Sequence, residues 1–280
     1  RSLPSLPRST VRGWWRRRGG TRGSGGRGRV HFFCDEFTDT LDAEIGIRAI
    51  ELLERLGYAV TIPAHADSGR AHLSKGLVRA ARDLAVRNVE SLDPVVTDDM
   101  ALVGVEPSAI LSFRDEYPDL VPEPLVPAAR RLADRAVLID EFLAREADRG
   151  RIGPDAFTAA ARTVRLHGHC HQKALGSLDA TVRALSLPRN YSVEVIASGC
   201  CGMAGSFGYE REHFDLSMRI GELVLFPAVR AADGDVTLVA PGTSCRHQIK
   251  DGTGRTALHP VEVLHAALPR SASARGADGG

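Results

Sequence analysis

Thr163-Val-Arg-Leu-His-Gly-His-Cys-His171 reads as a strand that runs out into a cysteine flanked by histidines. Two segments of the same kind follow. The strand pattern Val193–Ala197 leads to Gly199-Cys-Cys-Gly202, and Val236–Ala240 leads to Gly242-Thr-Ser-Cys245. Helical patterns over 176–186 and 210–231 lie between them. Strands alternating with helices imply parallel βαβ units. In open sheets of that kind the loops beyond the strand carboxyl ends form the binding crevice. Cys170, Cys200, Cys201 and Cys245 are therefore expected to converge, although 29 and 43 residues intervene.

Upstream the same order is found. Arg29–Cys34 reads as a strand, 41–57 as a helix stopped at Gly57, Tyr58–Ile62 as a strand and 71–92 as a helix. Ala101–Val105 reads as a strand, Pro107 opens a helix, and helical pattern runs over 125–149. The halves can be laid over one another. Cys34 falls on Cys170, Asp67-Ser68-Gly69 on Cys200-Cys201-Gly202, and Val105-Glu-Pro-Ser-Ala109 on Pro241-Gly-Thr-Ser-Cys245. The separations are 33 against 30 and 41 against 44 residues. The expected fold is α/β, with two similar βαβ-type units, each a parallel sheet flanked by helices. Residues 29–150 form a first unit that has lost three of four thiols, and 151–268 a second that keeps them. A crevice is expected between the units, with the second-half cysteines on one wall and Cys34, Asp67, Ser68 and Glu106 on the other. Arg114 is a further candidate there.

The flanks differ in composition. Residues 1–29 hold nine arginines and no acid, which leaves 27 basic against 35 acidic residues elsewhere within an overall net charge of +1. Residues 1–28 read as a basic linker with a short helix at Trp14-Trp15-Arg-Arg-Arg18, and 269–280 as a disordered tail. The first residue is Arg1, which fits a piece of a longer polypeptide. No apolar run approaches the ~20 residues of a membrane span. Five cysteines, an odd number, argue against a disulfide framework and for a reducing compartment. The expected placement is cytoplasmic, at most peripheral at the inner face of the membrane, with no nucleic-acid partner.

Adjacent cysteines between glycines pack a core poorly and ligate soft metals well, and thiolates select iron–sulfur clusters, zinc or copper(I). Gly199, Gly202, Gly205 and Gly208 let the backbone approach a bulky inorganic group closely. Cys245 sits where a helix begins, and amides there favour thiolate. Other readings stand beside this one. The thiols could be structural core residues, could hold zinc alone or with His169, His171 or His247, or could include a catalytic thiol flanked by His169 and His171. His167, His169 and His171, if on a strand, share one face, and rank as second-layer or hydrogen-bonded groups.

His169-Cys-His-Gln-Lys-Ala174, Cys200-Cys-Gly-Met-Ala-Gly-Ser-Phe-Gly-Tyr209 and Gly242-Thr-Ser-Cys-Arg-His-Gln-Ile249 resemble the cysteine-rich "CCG" domain of iron–sulfur oxidoreductases. The likeness covers residues 28–268. It is closest to the C-terminal region of fused FAD-binding/(Fe-S)-binding dehydrogenases of D-2-hydroxy acids such as D-lactate and D-2-hydroxyglutarate, with the iron–sulfur component of glycolate oxidase more distant. The resemblance implies a cluster of the 4Fe-4S type on Cys170, Cys200, Cys201 and Cys245, tuned by Gly202, Arg246, His247 and the amides of 200–205. It also implies FAD and a ferredoxin-like module on an associated or upstream domain, and a quinone or cytochrome acceptor. A non-redox zinc- or cluster-stabilised docking scaffold is the alternative. Two departures limit the transfer. The first repeat has Asp67, Ser68 and Ala109 where many relatives have cysteines, so no cluster is expected there. Cys245 stands without the second cysteine of a Cys-x-x-Cys ending, so the non-cubane cluster of the heterodisulfide reductase type is not implied.

Overall fold

In a computed structural model the described residues are 2, 4 and 6–269. The tail expected over 269–280 lies, from residue 270 on, outside them. The first half contains α1 (Val11–Arg18), β1 (Gly28–Phe32), α2 (Glu36–Thr40), α3 (Ala43–Arg55), β2 (Tyr58–Thr61), α4 (Arg70–Ser74) and α5 (Val78–Leu92). It continues with β3 (Leu102–Gly104), α6 (Pro107–Ile110), α7 (Tyr117–Leu120), α8 (Val126–Arg135), β4 (Ala136–Leu138) and α9 (Ile139–Asp148). The second contains β5 (Arg162–Leu166), α10 (Cys170–Leu175), α11 (Asp179–Leu185), β6 (Tyr191–Val195), α12 (Phe214–Leu223), α13 (Leu225–Arg230), β7 (Thr237–Val239), α14 (Thr243–Thr253) and α15 (Pro260–Ala267).

The strands form two parallel sheets, β2-β1-β3-β4 and β6-β5-β7. Val30 pairs with Val60 and Val103 with Val137 in one; Val164 pairs with Val193 and Leu166 with Val239 in the other. A parallel bridge from Val239 to Leu258 supplies the second sheet with a counterpart of β4. The expected α/β architecture is therefore present, and both sheets share one strand order.

Apolar residues leave both faces of each sheet. Val103, Val137, Val164 and Val239 join one core with α3, α9, α11 and α15, which form a helical layer between the sheets. Leu102, Ala136 and Leu138 face an outer core with α5 and α8, while Leu238 and Ala240 face another with α13 and α14. Continuous apolar strand runs are what double-sided burial of parallel strands requires. In the central layer α3 packs on α15 as α11 packs on α9. These pairs are equivalent under exchange of the halves, the relation a two-fold pseudo-symmetry imposes. The starts of α9 and α15 match too: Glu141 and Glu262 each accept the backbone N–H three residues earlier.

The N-terminal segment is docked. Val11 is fully buried against α3, and Trp14 and Trp15 pack on the central core. Arg18 makes two bonds to Glu54, 2.7 and 2.6 Å. Gly46 of α3 permits this, because a Cβ there would lie 2.7 Å from Val11 and 2.8 Å from Thr38.

Four expected elements differ. The helix of 71–92 is interrupted at Gly76, which adopts φ +71°. The helix of 210–231 begins at Phe214 and breaks at Val224, where Pro227 has no N–H for the carbonyl of Leu223. The run 125–149 contains β4, because Ala136-Val-Leu is buried on both faces and completes the sheet edge. β5 ends at Leu166, so His167, His169 and His171 do not share a strand face. Among the described residues no helix is long and apolar enough to cross a membrane.

Candidate metal centre

The carboxyl ends of β5, β6 and β7 deliver the four thiols. Cys170 opens α10 behind the N-cap His169, whose Nδ1 accepts the His171 N–H at 3.3 Å. Cys245 lies in the first turn of α14. Cys200 and Cys201 occupy the glycine-rich loop after β6. That loop turns back at Gly202 (φ +94°), Ala204 (φ +46°) and Gly205 (φ +64°). The turn aims successive amides at sulfur: Gly202 N–H reaches Cys200 Sγ at 3.3 Å and Met203 N–H reaches Cys201 Sγ at 3.5 Å. Such a concavity of N–H groups favours negative charge. Lys173 clamps the loop to α10 by donating to the carbonyls of Ser198 and Gly199, at 2.8 and 2.7 Å.

The sulfurs form a connected chain, Cys170 on Cys200, Cys200 on Cys201 and Cys201 on Cys245. Hydrogen bonds from their neighbours push Cys200 and Cys245 down toward thiolate. Hydrogen bonds to Cys200 push Cys170 and Cys201 up. Cys201 and Cys245 are 4% and 2% exposed, whereas Cys170 is open to the surface. All four line one wall of a cavity of about 580 Å³ between the halves.

The facing wall corrects the expectation in part. Glu106 lies there with Phe37, Leu41, Arg70 and Ser108, but Cys34, Asp67, Ser68 and Arg114 do not line the cavity. The Cys34 thiol turns to Asp39 at 3.6 Å beneath α1. Ser68 gives its hydroxyl to Glu36 at 2.8 Å. Asp67 is exposed, Ala109 is buried in an outer core, and Arg114 binds Glu141 and the Ala136 carbonyl. Cys34, Ser68 and Arg114 thus find their partners inside the first half.

Gly202, Arg246 and His247 do not contact the cavity directly. Gly202 contributes its N–H to Cys200, as above. Arg246 is a strut: it pairs with Asp42 of the first half and donates to the carbonyls of Ala240 and Pro241. His247 sits behind the wall and binds the hydroxyl of Tyr209, which does line it, at 2.7 Å. Glu106 works beside Arg246. Its carboxylate accepts from the Thr243 N–H (2.8 Å) and from the N–H and hydroxyl of Ser108 (3.2 and 2.6 Å). The start of the Cys245 helix is thereby tied to the first half.

His169 and His171 stack at 5.5 Å, and with Cys170 their donor atoms lie within 4.8 Å of one another. His167, Cys201 and Cys245 form a second, fully buried group of that size. Sequence reasoning ranked His167 low and did not single out Lys173, Met203 or Ser198. The Lys173 signal was its place in the His169–Ala174 motif.

The chain is 29% identical over 231 residues to D-2-hydroxyglutarate dehydrogenase of Escherichia coli K12, which is 82% of this chain and 22% of that protein. It is 27% identical over 270 residues to one of the subunits of anaerobic glycerol-3-phosphate dehydrogenase from the same organism, 96% of this chain and 66% of that protein. Lactate utilization protein A of Bacillus licheniformis is 27% identical over 253 residues, 85% of this chain and 97% of that protein. No family model matches. The chain spans about a fifth of the length of the D-2-hydroxyglutarate dehydrogenases it matches. The likeness first read from the cysteine motifs thus holds over most of the chain, to D-2-hydroxyglutarate dehydrogenases and to two further proteins named for glycerol-3-phosphate and lactate.

Proposed function

We propose that Cys170, Cys200, Cys201 and Cys245 hold an iron–sulfur cluster of the 4Fe-4S type, and that the chain is the electron-transfer region of an FAD-linked 2-hydroxy-acid dehydrogenase. The observation that carries this is the convergence of four thiols from three strand ends on one wall of a cavity between two halves. Relatives named for D-2-hydroxyglutarate, glycerol-3-phosphate and lactate support an oxidoreductase role. The substrate is D-lactate, D-2-hydroxyglutarate or glycolate. FAD and a ferredoxin-like module sit on an associated or upstream domain, and a quinone or cytochrome takes the electrons. The placement is cytoplasmic, at most peripheral at the membrane's inner face. The first half holds no cluster, because Cys34 is its single thiol and faces away from the cavity.

The donor set fits the group. Two sulfurs are already biased to thiolate, two backbone N–H groups point at sulfur, and the cavity leaves open space in front of all four thiols. Bound there, a cluster would supply one-electron exchange. The chain's own residues do the rest. Gly202 and Met203 N–H groups stabilise negative charge on Cys200 and Cys201. Lys173 holds their loop, while Glu106 and Arg246 fix the helix that carries Cys245. α4 closes the rim, with Ser74 Oγ accepting the Ser206 N–H at 3.1 Å and Lys75 paired with Glu210.

The test is anaerobic reconstitution of the full chain with iron and sulfide, then mixing with photoreduced FAD and afterwards with a short-chain quinone. The expected result is bleaching of the visible absorption by flavin and its return with quinone. Absorption indifferent to reduced flavin contradicts the relay role.

A further inference from the structure

We infer that His167 is a metal ligand of this centre, binding through Nε2 beside Cys201 and Cys245 in place of one of the other two thiols, since a four-iron cluster takes four protein ligands, so that the donor set is mixed nitrogen and sulfur; the inference rests on the reading that these cysteines hold a metal. His167 is 1% exposed. Its Nδ1 lies 2.7 Å from Ser198 Oγ, and the Ser198 hydroxyl is itself directed at the Ile196 carbonyl, 3.5 Å away. Ligation through Nε2 requires the tautomer in which Nδ1 carries the hydrogen and donates it to Ser198 Oγ, which leaves Nε2 an in-plane lone pair. That pattern, one nitrogen held by an outer partner and the other free, orients ligating histidines and raises their basicity.

Nε2 makes no hydrogen bond of ordinary geometry among the described residues; the group it interacts with is the Cys245 sulfur. Leaving a buried nitrogen so is costly, and the fold leaves it beside two sulfurs. The donor atoms of His167, Cys201 and Cys245 all lie within 4.8 Å of one another. His167 and Cys245 are the two least exposed donors of the site, at 1% and 2%. His169 and His171 differ in their company. His169 Nδ1 caps α10. His171 Nδ1 is also without a hydrogen-bond partner among the described residues, but its Nε2 faces the Arg70 guanidinium at 3.1 Å and its donor group holds one thiol, Cys170. His167 is the histidine grouped with two buried thiols.

The test uses the full chain stripped of metal by chelation under reducing conditions, then titrated with Co2+ as the probe, beside pulsed EPR of the chain reconstituted with iron and sulfide. His167→Ala is expected to weaken Co2+ binding at least ~100-fold, the upper end of what loss of an outer-sphere partner costs. It should also abolish 14N hyperfine coupling from a directly bound nitrogen. His167→Cys should restore Co2+ affinity and intensify the sulfur-to-cobalt charge-transfer bands. His169→Ala and His171→Ala should change neither readout. Unchanged Co2+ affinity in His167→Ala, or 14N coupling that survives it, overturns the inference. His167→Cys also guards against misfolding: a folded variant that still fails to recover cobalt binding counts against ligation. The arms separate the two claims. A chain that takes no iron and sulfide yet loses cobalt with His167 refutes the cluster and keeps the ligand. A cluster whose spectra ignore the substitution refutes the ligand alone.

Discussion

Gly202→Ala tests whether the turn that aims amides at the sulfurs is as constrained as it looks. Gly202 adopts φ +94°, and a Cβ there would lie 2.2 Å from the Ser217 carbonyl oxygen of α12 and 3.1 Å from Gln248 Nε2. The nearest obstacle is backbone, so no rotamer change relieves it. A left-handed conformation costs an alanine about 1–2 kcal/mol, and overpacking against a fixed neighbour adds about 1–3 kcal/mol. The expected loss is about 2–5 kcal/mol. Gly199→Ala is the matched control, since its Cβ would meet nothing within 4 Å at an ordinary φ; its effect should stay within about 0.5 kcal/mol. Urea unfolding of the metal-free, reduced chain, followed by far-ultraviolet circular dichroism, measures both. Gly202→Ala should also retain less metal, because the Gly202 N–H would leave Cys200. Equal stability of the two variants would refute the reasoning.

Arg246→Ala leaves the half-buried Asp42 carboxylate, among the described residues, with only the Thr243 hydroxyl, and two buried carbonyls without that donor, so about 1–3 kcal/mol should be lost. The double variant with Asp42→Ala should recover part of it in a thermodynamic cycle. Burial raises Asp140 to about 6, although Thr181, Glu141 and Gln172 donate to it. The folded chain therefore keeps a proton that the unfolded chain releases between about pH 4 and 6, so this group's contribution falls as pH rises through that window. Asp140→Asn should be more stable than the parent by about 1–3 kcal/mol at pH 8, with the gap closing toward pH 4; a pH-independent gap would contradict this. Burial, then the Asp39 and Asp35 carboxylates, push the Cys34 thiol up. Cys34 should resist an anionic disulfide reagent at pH 8 until the chain is unfolded, while half-buried Cys200, held toward thiolate, reacts in the metal-free chain; peptide mass spectrometry reads both.

The repeat was legible because three chemically odd segments recur at matched spacing, and each sits at a strand end whatever its side chains do. Alternation of strand and helix patterns gave the parallel sheets. What the sequence hid was tertiary. Ala136-Val-Leu138 is too short to announce a strand inside a helical run, and it becomes one by completing a sheet edge. Two long periodic runs concealed breaks at Gly76 and before Pro227. In the site, the thiols were readable since their clustering has few other uses. Cys34 was misplaced on the cavity wall because its sulfur is covered by Asp39 and α1, contacts that the repeat pattern does not contain. Arg246 looked like a tuner from its place beside Cys245. Helix periodicity turns it away from the sulfur and toward Asp42. His167 differs from His169 and His171 in nothing a sequence displays. The Ser198 contact that fixes its ring crosses between strand-end loops 31 residues apart.

The central claim is that these thiols hold an iron–sulfur cluster. It is tested most directly by anaerobic purification of the full chain with quantitation of iron, zinc and acid-labile sulfide, beside a Cys200→Ser/Cys201→Ser variant. The account predicts about four iron and about four sulfide per parent chain, and neither in the variant. Stoichiometric zinc without sulfide in the parent chain, or iron and sulfide retained by the variant, would contradict it.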